Sequence, residues 1–161
     1  MAGDDRLLRI YMDDQLALGV LWREIARRAH RAAGDGAEGA TLGDVAAGIA
    51  EDVVTFKQIM RRLGFATRTP KHAMAIVAER LGRLKLNGHL VSRSPLSRFE
   101  ELDFLVLGID GKVVLWQNLR DGAGLGRRLP DVDFDGLIER ARRQRTELEP
   151  FHAQAARAAL G

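Results

Sequence analysis

Residues 42–63 read LGDVAAGIAEDVVTFKQIMRRL, and their apolar spacing decides the fold class. Leu42, Val45, Ile49, Asp52, Phe56, Ile59 and Leu63 follow alternating steps of three and four without a break. That is the period of an α-helix with one buried stripe, and a regular three-four alternation suits nearly aligned packing of long helices rather than steep crossings. Working outward, three more stretches carry the same period. Upstream are Leu7, Ile10, Asp14, Leu18, Leu21 and Ile25; downstream are Phe99, Leu102, Val106, Ile109, Val113 and Trp116, then Phe134, Leu137, Ala141, Gln144, Leu148, Phe151 and Ala155. Extended alternating patterns are missing, and Leu90-Val91 is too short to argue for a sheet.

The punctuation agrees with four helices. The run Gly34 to Gly39 breaks the first, and Thr41 with Asp44 resembles a capping box for the second. Gly64 after Arg61-Arg62 reads as a C-terminal cap, Ser94-Pro95 or Ser97 with Glu100 opens the third helix, and Asp133 or Asp135 opens the fourth after a loop with Gly122, Gly124, Gly126 and Pro130. The connection 65–96 holds a further short helix, about Pro70 to Leu86, ended by Asn87-Gly88. The expected architecture is therefore all-α: a four-helix bundle over residues 1–161 as one domain, two antiparallel hairpins joined by a long crossover. One long crossover lets helix three run parallel to helix two, the layout of ferritin-like bundles. Such a topology is not specific for function.

A second likeness is more local. Gly82-Arg83-Leu84-Lys85-Leu86-Asn87-Gly88, Ser94-Pro95-Leu96-Ser97-Arg98 and Leu107-Gly108-Ile109-Asp110-Gly111-Lys112 up to Leu115-Trp116 resemble an uncharacterised family of bacterial helical proteins. The resemblance implies a helical fold with no activity attached to it.

Composition narrows the chemistry. The 161 residues contain no cysteine, which excludes disulfides, thiolate metal sites and cysteine nucleophiles, and permits a reducing compartment. No apolar run is long enough to span a bilayer, and Asp4 and Asp5 stand where a signal peptide needs positive charge, so the expected location is cytoplasmic. The net charge of +3 is unevenly spread. Residues 57–98 hold ten cations against one carboxylate, +9; residues 1–56 hold six against ten, −4; residues 99–161 hold nine against eleven, −2.

Three constellations follow. The first is a carboxylate-bridged di-iron or di-manganese site, which in ferritin-like proteins takes one Glu from each of two helices and a Glu-x-x-His pair from each of the others. Glu149 and His152 supply one such pair; Glu24 and Glu51 stand level, each about 15 Å from the first loop. Val54 occupies the position where a second pair needs His, and Pro150 disturbs the helix between Glu149 and His152.

The second is a set of polar residues on or beside the stripes: Asp14, Asp52, Lys112 and Gln144. A charge on an apolar stripe is costly unless paired. We favour a buried network that fixes helix register over a ligand or acid/base site, because structural ion pairs also fall at such positions. Asp14 and Asp52 differ in height by about 12 Å and are not expected to touch.

The third is the basic crossover, with Arg80, Arg83, Lys85, Arg93 and Arg98 facing an acidic protein, nucleic acid or lipid head group, or else neutralised by acids of the bundle or of a second copy in a homodimer. Few aromatic residues accompany it, which disfavours base stacking. No nucleophile elbow or dinucleotide fingerprint is present. The reading that results is a non-enzymatic binding or interaction protein without cofactor, with a di-metal oxidase or storage protein as the alternative.

Overall fold

The computed structural model describes residues 2–67, 75, 79 and 94–161. Of the crossover helix expected over 70–86, only Ala75 and Glu79 are described, both helical, and the rest lies outside the described residues. Among the described residues there is no strand, and the chain is all-α. Four long helices dominate: α1 (Ala2–Ala33), α2 (Ala37–Arg62), α3 (Pro95–Gln117) and α5 (Phe134–Leu160), with a single-turn α4 (Leu125–Arg128) between the last two. No helix among the described residues is long and apolar enough to cross a membrane.

Local chemistry sets the ends. Gly34 adopts φ +74° and stops α1, and Gly39 lies so close to the Gly34 carbonyl that any Cβ there would overlap it. The His30 Nδ1–H donates to the Gly39 carbonyl at 2.9 Å, tying the hairpin shut. α2 therefore begins at Ala37, with Gly36 as its N-cap, five residues ahead of the expected Thr41 cap. Its far end is a Schellman turn: Gly64 at φ +75° donates to the Arg61 carbonyl, and Phe65 N–H to that of Met60. Ser94 caps α3 by accepting from Ser97 N–H, with Pro95 in the first turn; Asp133 caps α5 by accepting from Gly136 N–H.

Contacts between the helices give their directions. α1 and α2 run antiparallel, Gly19 facing Val53 and His30 facing Gly39. α3 and α5 run antiparallel, from Lys112 with Gln144 at one end to Asp103 with His152 at the other. α2 and α3 run parallel with a constant offset: Glu38 meets Arg98, and Asp52 meets Lys112. The α1–α2 and α3–α5 pairs pack extensively, whereas α1 on α3 and α2 on α5 meet more sparsely.

The core forms two apolar clusters. One, around Ile25, Leu42, Val45, Ile49, Leu102, Leu105, Ile109 and Leu148, fills the end near the α1–α2 turn. The other, around Met12, Leu16, Val53, Phe56, Ile59, Met60, Trp116 and Phe134, fills the opposite end. The stretch 118–129 differs from the glycine-rich loop expected of it. α3 continues into a π-helical turn, Asn118–Gly122, then α4. Leu119, Leu125 and Leu129 plug the second cluster, and Arg120 clamps the turn by bridging Asp121 and Asp135.

The stripes of α2 and α5 are buried as their spacing requires, apart from the half-buried Leu63 and Phe151. The α1 stripe is shifted in its first half. Leu7, Ile10 and Leu18 are 69%, 49% and 41% exposed, and Met12, Leu16 and Val20 point inward instead. This corrects Asp14 as well: it is exposed and takes no part in a buried network.

Candidate functional site

A polar layer separates the two apolar clusters. Asp52 sits between Ile49 and Val53 on α2, and Lys112 between Ile109 and Trp116 on α3, with one neighbour of each in either cluster. The Lys112 ammonium donates to Asp52 Oδ2 and to Gln144 Oε1, each at 2.5 Å. The Asp52 side chain is 5% exposed and that of Lys112 11%. Gly48 makes room for Gln144, since a Cβ there would stand 2.3 Å from the Gln144 amide nitrogen. The other oxygen of Asp52 accepts from Arg140, which also reaches Glu51 at 3.0 Å. Three helices are thus tied by one carboxylate, one ammonium and one amide. Burial pushes the Lys112 ammonium below the usual lysine value and outweighs the Asp52 charge beside it, which pulls the other way. The spacing on α2, α3 and α5 pointed to Asp52, Lys112 and Gln144; it missed Arg140, which stands among the exposed arginines of α5 and is selected only by the position of Asp52.

Beside this layer a cavity of about 420 Å³ opens between α1 and α3 and reaches down to α2. Trp22, Ile49, Phe56, Leu105 and Trp116 contribute to an apolar wall, and Asp52 and Lys112 form its polar floor. Gly19, Gly108 and Gly111 line it, so the α1–α3 seam lacks the side chains that would close it. Gly108 carries the Trp22 indole directly on its backbone: a Cβ there would lie 2.6 Å from the ring. Trp22 also meets Phe104, with ring centroids 6.1 Å apart. Leu18, Leu107 and Val114, all more than 40% exposed, rim the opening. The cavity lies in the size range of small-molecule pockets, with an apolar lining and few polar groups, as such pockets have.

Trp116 is 1% exposed, packed against Phe56 and Phe134, and its indole N–H has no hydrogen-bond partner. A second cavity of about 550 Å³ lies at the other end, near Ser94 and Leu102. Its charges are already matched: Arg28 meets Glu101 at 2.9 Å and Arg98 meets Glu38. Burial nevertheless holds the Glu101 carboxyl above the usual glutamate range, Arg28 opposing it.

The proposed metal ligands do not converge. Glu24 pairs with Arg23 and Arg27, Glu51 with Arg140, and Glu149 with Arg145, while His152 Nε2 meets Asp103 Oδ1 at 3.0 Å and stacks near Phe99. Among the described residues no group of three or more His, Asp or Glu side chains is placed to hold a metal ion. The cause is local geometry: Glu51 and Glu149 stand one position off their stripes, so both face solvent, where guanidinium groups neutralise them. Of the basic connection, Arg62 is bound to Asp131 at 2.6 Å and Arg98 to Glu38, both carboxylates of this chain. Arg80, Arg83, Lys85 and Arg93 lie outside the described residues.

Comparison with known proteins returns nothing: no family model, no curated protein and no solved structure matches this chain.

Proposed function

We propose that this is a non-enzymatic binding protein, a four-helix bundle of ferritin-like layout whose α1–α3 cavity takes a small apolar molecule. The layout is supported by the parallel α2 and α3, the short α1–α2 turn, and a connection of some thirty residues between helices that start and end at opposite ends. The function rests on one observation: a cavity of about 420 Å³, apolar in its walls, opens at an exposed apolar rim between α1 and α3. A protein held together by packing alone fills such a space, because unfilled apolar volume costs stability. The one amine at the polar floor, Lys112, is already engaged by Asp52 and Gln144, which supports binding rather than turnover as the reading.

Titration with the neutral fluorophore N-phenyl-1-naphthylamine tests it. Both tryptophans line the cavity, so quenching of their emission accompanies dye binding. Saturable binding at one dye per chain is expected, abolished by Gly19→Leu, whose side chain adds bulk to the lining beside Val53. Absence of dye binding to the folded wild type, or unchanged binding to a folded Gly19→Leu variant, rejects the proposal.

A further inference from the structure

We infer that Lys112 holds an apolar aldehyde as a reversible imine, with Asp52 as its counter-ion and the α1–α3 cavity around the tail; this rests on the binding reading above. An imine needs an amine, a group beside it that takes and returns a proton, and a site that limits water. Lys112 and Asp52 both line the cavity, and the ammonium donates to Asp52 Oδ2 at 2.5 Å. Their side chains are only 11% and 5% exposed, beneath apolar walls. Burial also holds the Lys112 ammonium below the usual lysine value, the Asp52 charge opposing it, which enlarges the share of neutral, nucleophilic amine.

The chemistry balances within the pair. The ammonium passes one proton to Asp52 and gives up its bond to Gln144, and the nitrogen lone pair attacks the aldehyde carbon. The C–N bond forms as the carbonyl π pair moves to oxygen. That oxygen takes one proton from the nitrogen and one returned by Asp52; the C–O bond breaks and water leaves. The nitrogen keeps its third proton as an iminium facing Asp52, so ammonium and aldehyde become iminium and water with no change in charge. This conservation selects the carbonyl class. An amide or carbamate on the same nitrogen removes the cation and leaves the buried Asp52 with Arg140 alone, whereas the imine keeps a cation opposite it. The walls and the exposed rim of Leu18, Leu107 and Val114 suit an apolar tail.

Octanal with sodium cyanoborohydride at neutral pH tests this on the wild-type chain, because the reductant fixes an imine as a secondary amine that survives digestion and mass spectrometry. Lys57, Lys71 and Lys85 serve as internal references. Lys112 is expected to take its octyl group about tenfold or more faster than any of the three, as a lowered ammonium value implies. Octan-1-ol, which has the same chain but no carbonyl, is expected to slow labelling of Lys112 and leave the references unchanged. The fast label is also expected to disappear in a folded Gly19→Leu variant. Lys112→Arg keeps a cation opposite Asp52 and is expected to leave only the slow label of the references. In a wild-type chain that binds N-phenyl-1-naphthylamine, labelling of Lys112 no faster than the references, or undiminished by octan-1-ol, overturns the imine while leaving the cavity reading intact. Failure of the dye itself to bind overturns the cavity reading, and this inference with it.

Discussion

Replacing Asp52 by Asn removes the one negative charge at the centre of the polar layer while keeping its shape. The Lys112 ammonium, 11% exposed, then loses its ionic partner at 2.5 Å and keeps only the Gln144 carbonyl. Arg140 loses one of its two carboxylates but retains Glu51 at 3.0 Å and is 28% exposed, so water and Glu51 compensate it. Breaking a buried pair from one side costs about 3–5 kcal/mol. With Arg140 compensated, the lower end applies, about 3 kcal/mol. Lys112→Met is milder, because Asp52 keeps Arg140 and no unpaired charge remains; a lost charge-assisted hydrogen bond is worth about 1.5–3 kcal/mol. Combining the two substitutions removes the stranded ammonium, so the double variant is expected to sit about 2 kcal/mol above the sum of the singles. Urea unfolding followed by far-ultraviolet circular dichroism at neutral pH measures all four chains, with an unchanged denaturant slope as the check on two-state behaviour. For a chain of this length, about 3 kcal/mol lowers Tm by roughly 6–12 °C. A coupling below about 0.5 kcal/mol, or a cost for Asp52→Asn below about 1 kcal/mol, refutes the view that this layer is a mutually dependent buried network.

Three further outcomes are expected. The Lys112 ammonium lies below the lysine value of 10.5, so the unfolded chain holds this proton more tightly, and the stability contributed through it rises as pH climbs from the lowered value toward 10.5. The urea midpoint of the wild type should therefore gain on that of Lys112→Met as pH rises toward 10.5, and parallel profiles contradict this. Gly108→Ala drives a methyl group into the Trp22 ring and should cost about 1–2 kcal/mol after the usual helix gain, whereas Gly111→Ala, with nothing within 4 Å, should stabilise by about 0.5–1 kcal/mol; equal effects in thermal melts contradict the close α1–α3 approach at Gly108. Pro150 stands exposed inside α5, where it lacks a donor and crowds the preceding turn, so Pro150→Ala should raise stability by about 1–3 kcal/mol, and an unchanged Tm shows that the helix carries no strain there.

Much of this molecule is legible along the chain. The α2 stripe keeps an unbroken three-four period and the α5 stripe is flanked largely by charged residues, so period alone orients them; Asp52 and Gln144 on those stripes are buried for the same reason. Ser94, Asp133 and Gly64 are local signals, and each does what its chemistry dictates. α1 is different. Leu7, Leu8, Ile10, Tyr11, Met12, Leu16 and Leu18 distribute apolar side chains over more than one face, and spacing cannot choose among them. Contact with α2 chooses Met12 and Leu16, which leaves Asp14 in water and turns Leu18 to the cavity mouth.

The cavity itself is a difference between surfaces. Gly19, Gly108 and Gly111 are single residues on two helices far apart in the chain, and only the antiparallel seating of α1 on α3 aligns them. The same holds for Glu149 and His152. Their spacing matches a metal-binding pair, yet Glu149 pairs with Arg145 one turn earlier on the same helix, and the rotation of α5 sends His152 to Asp103. Periodicity and capping are properties of neighbours within about four residues, so helix class, helix ends and the buried α2 and α5 faces are already decided at that range. Which charge meets which, and which space stays open, depends on the rotation and approach of whole helices, which the packing of all four together decides.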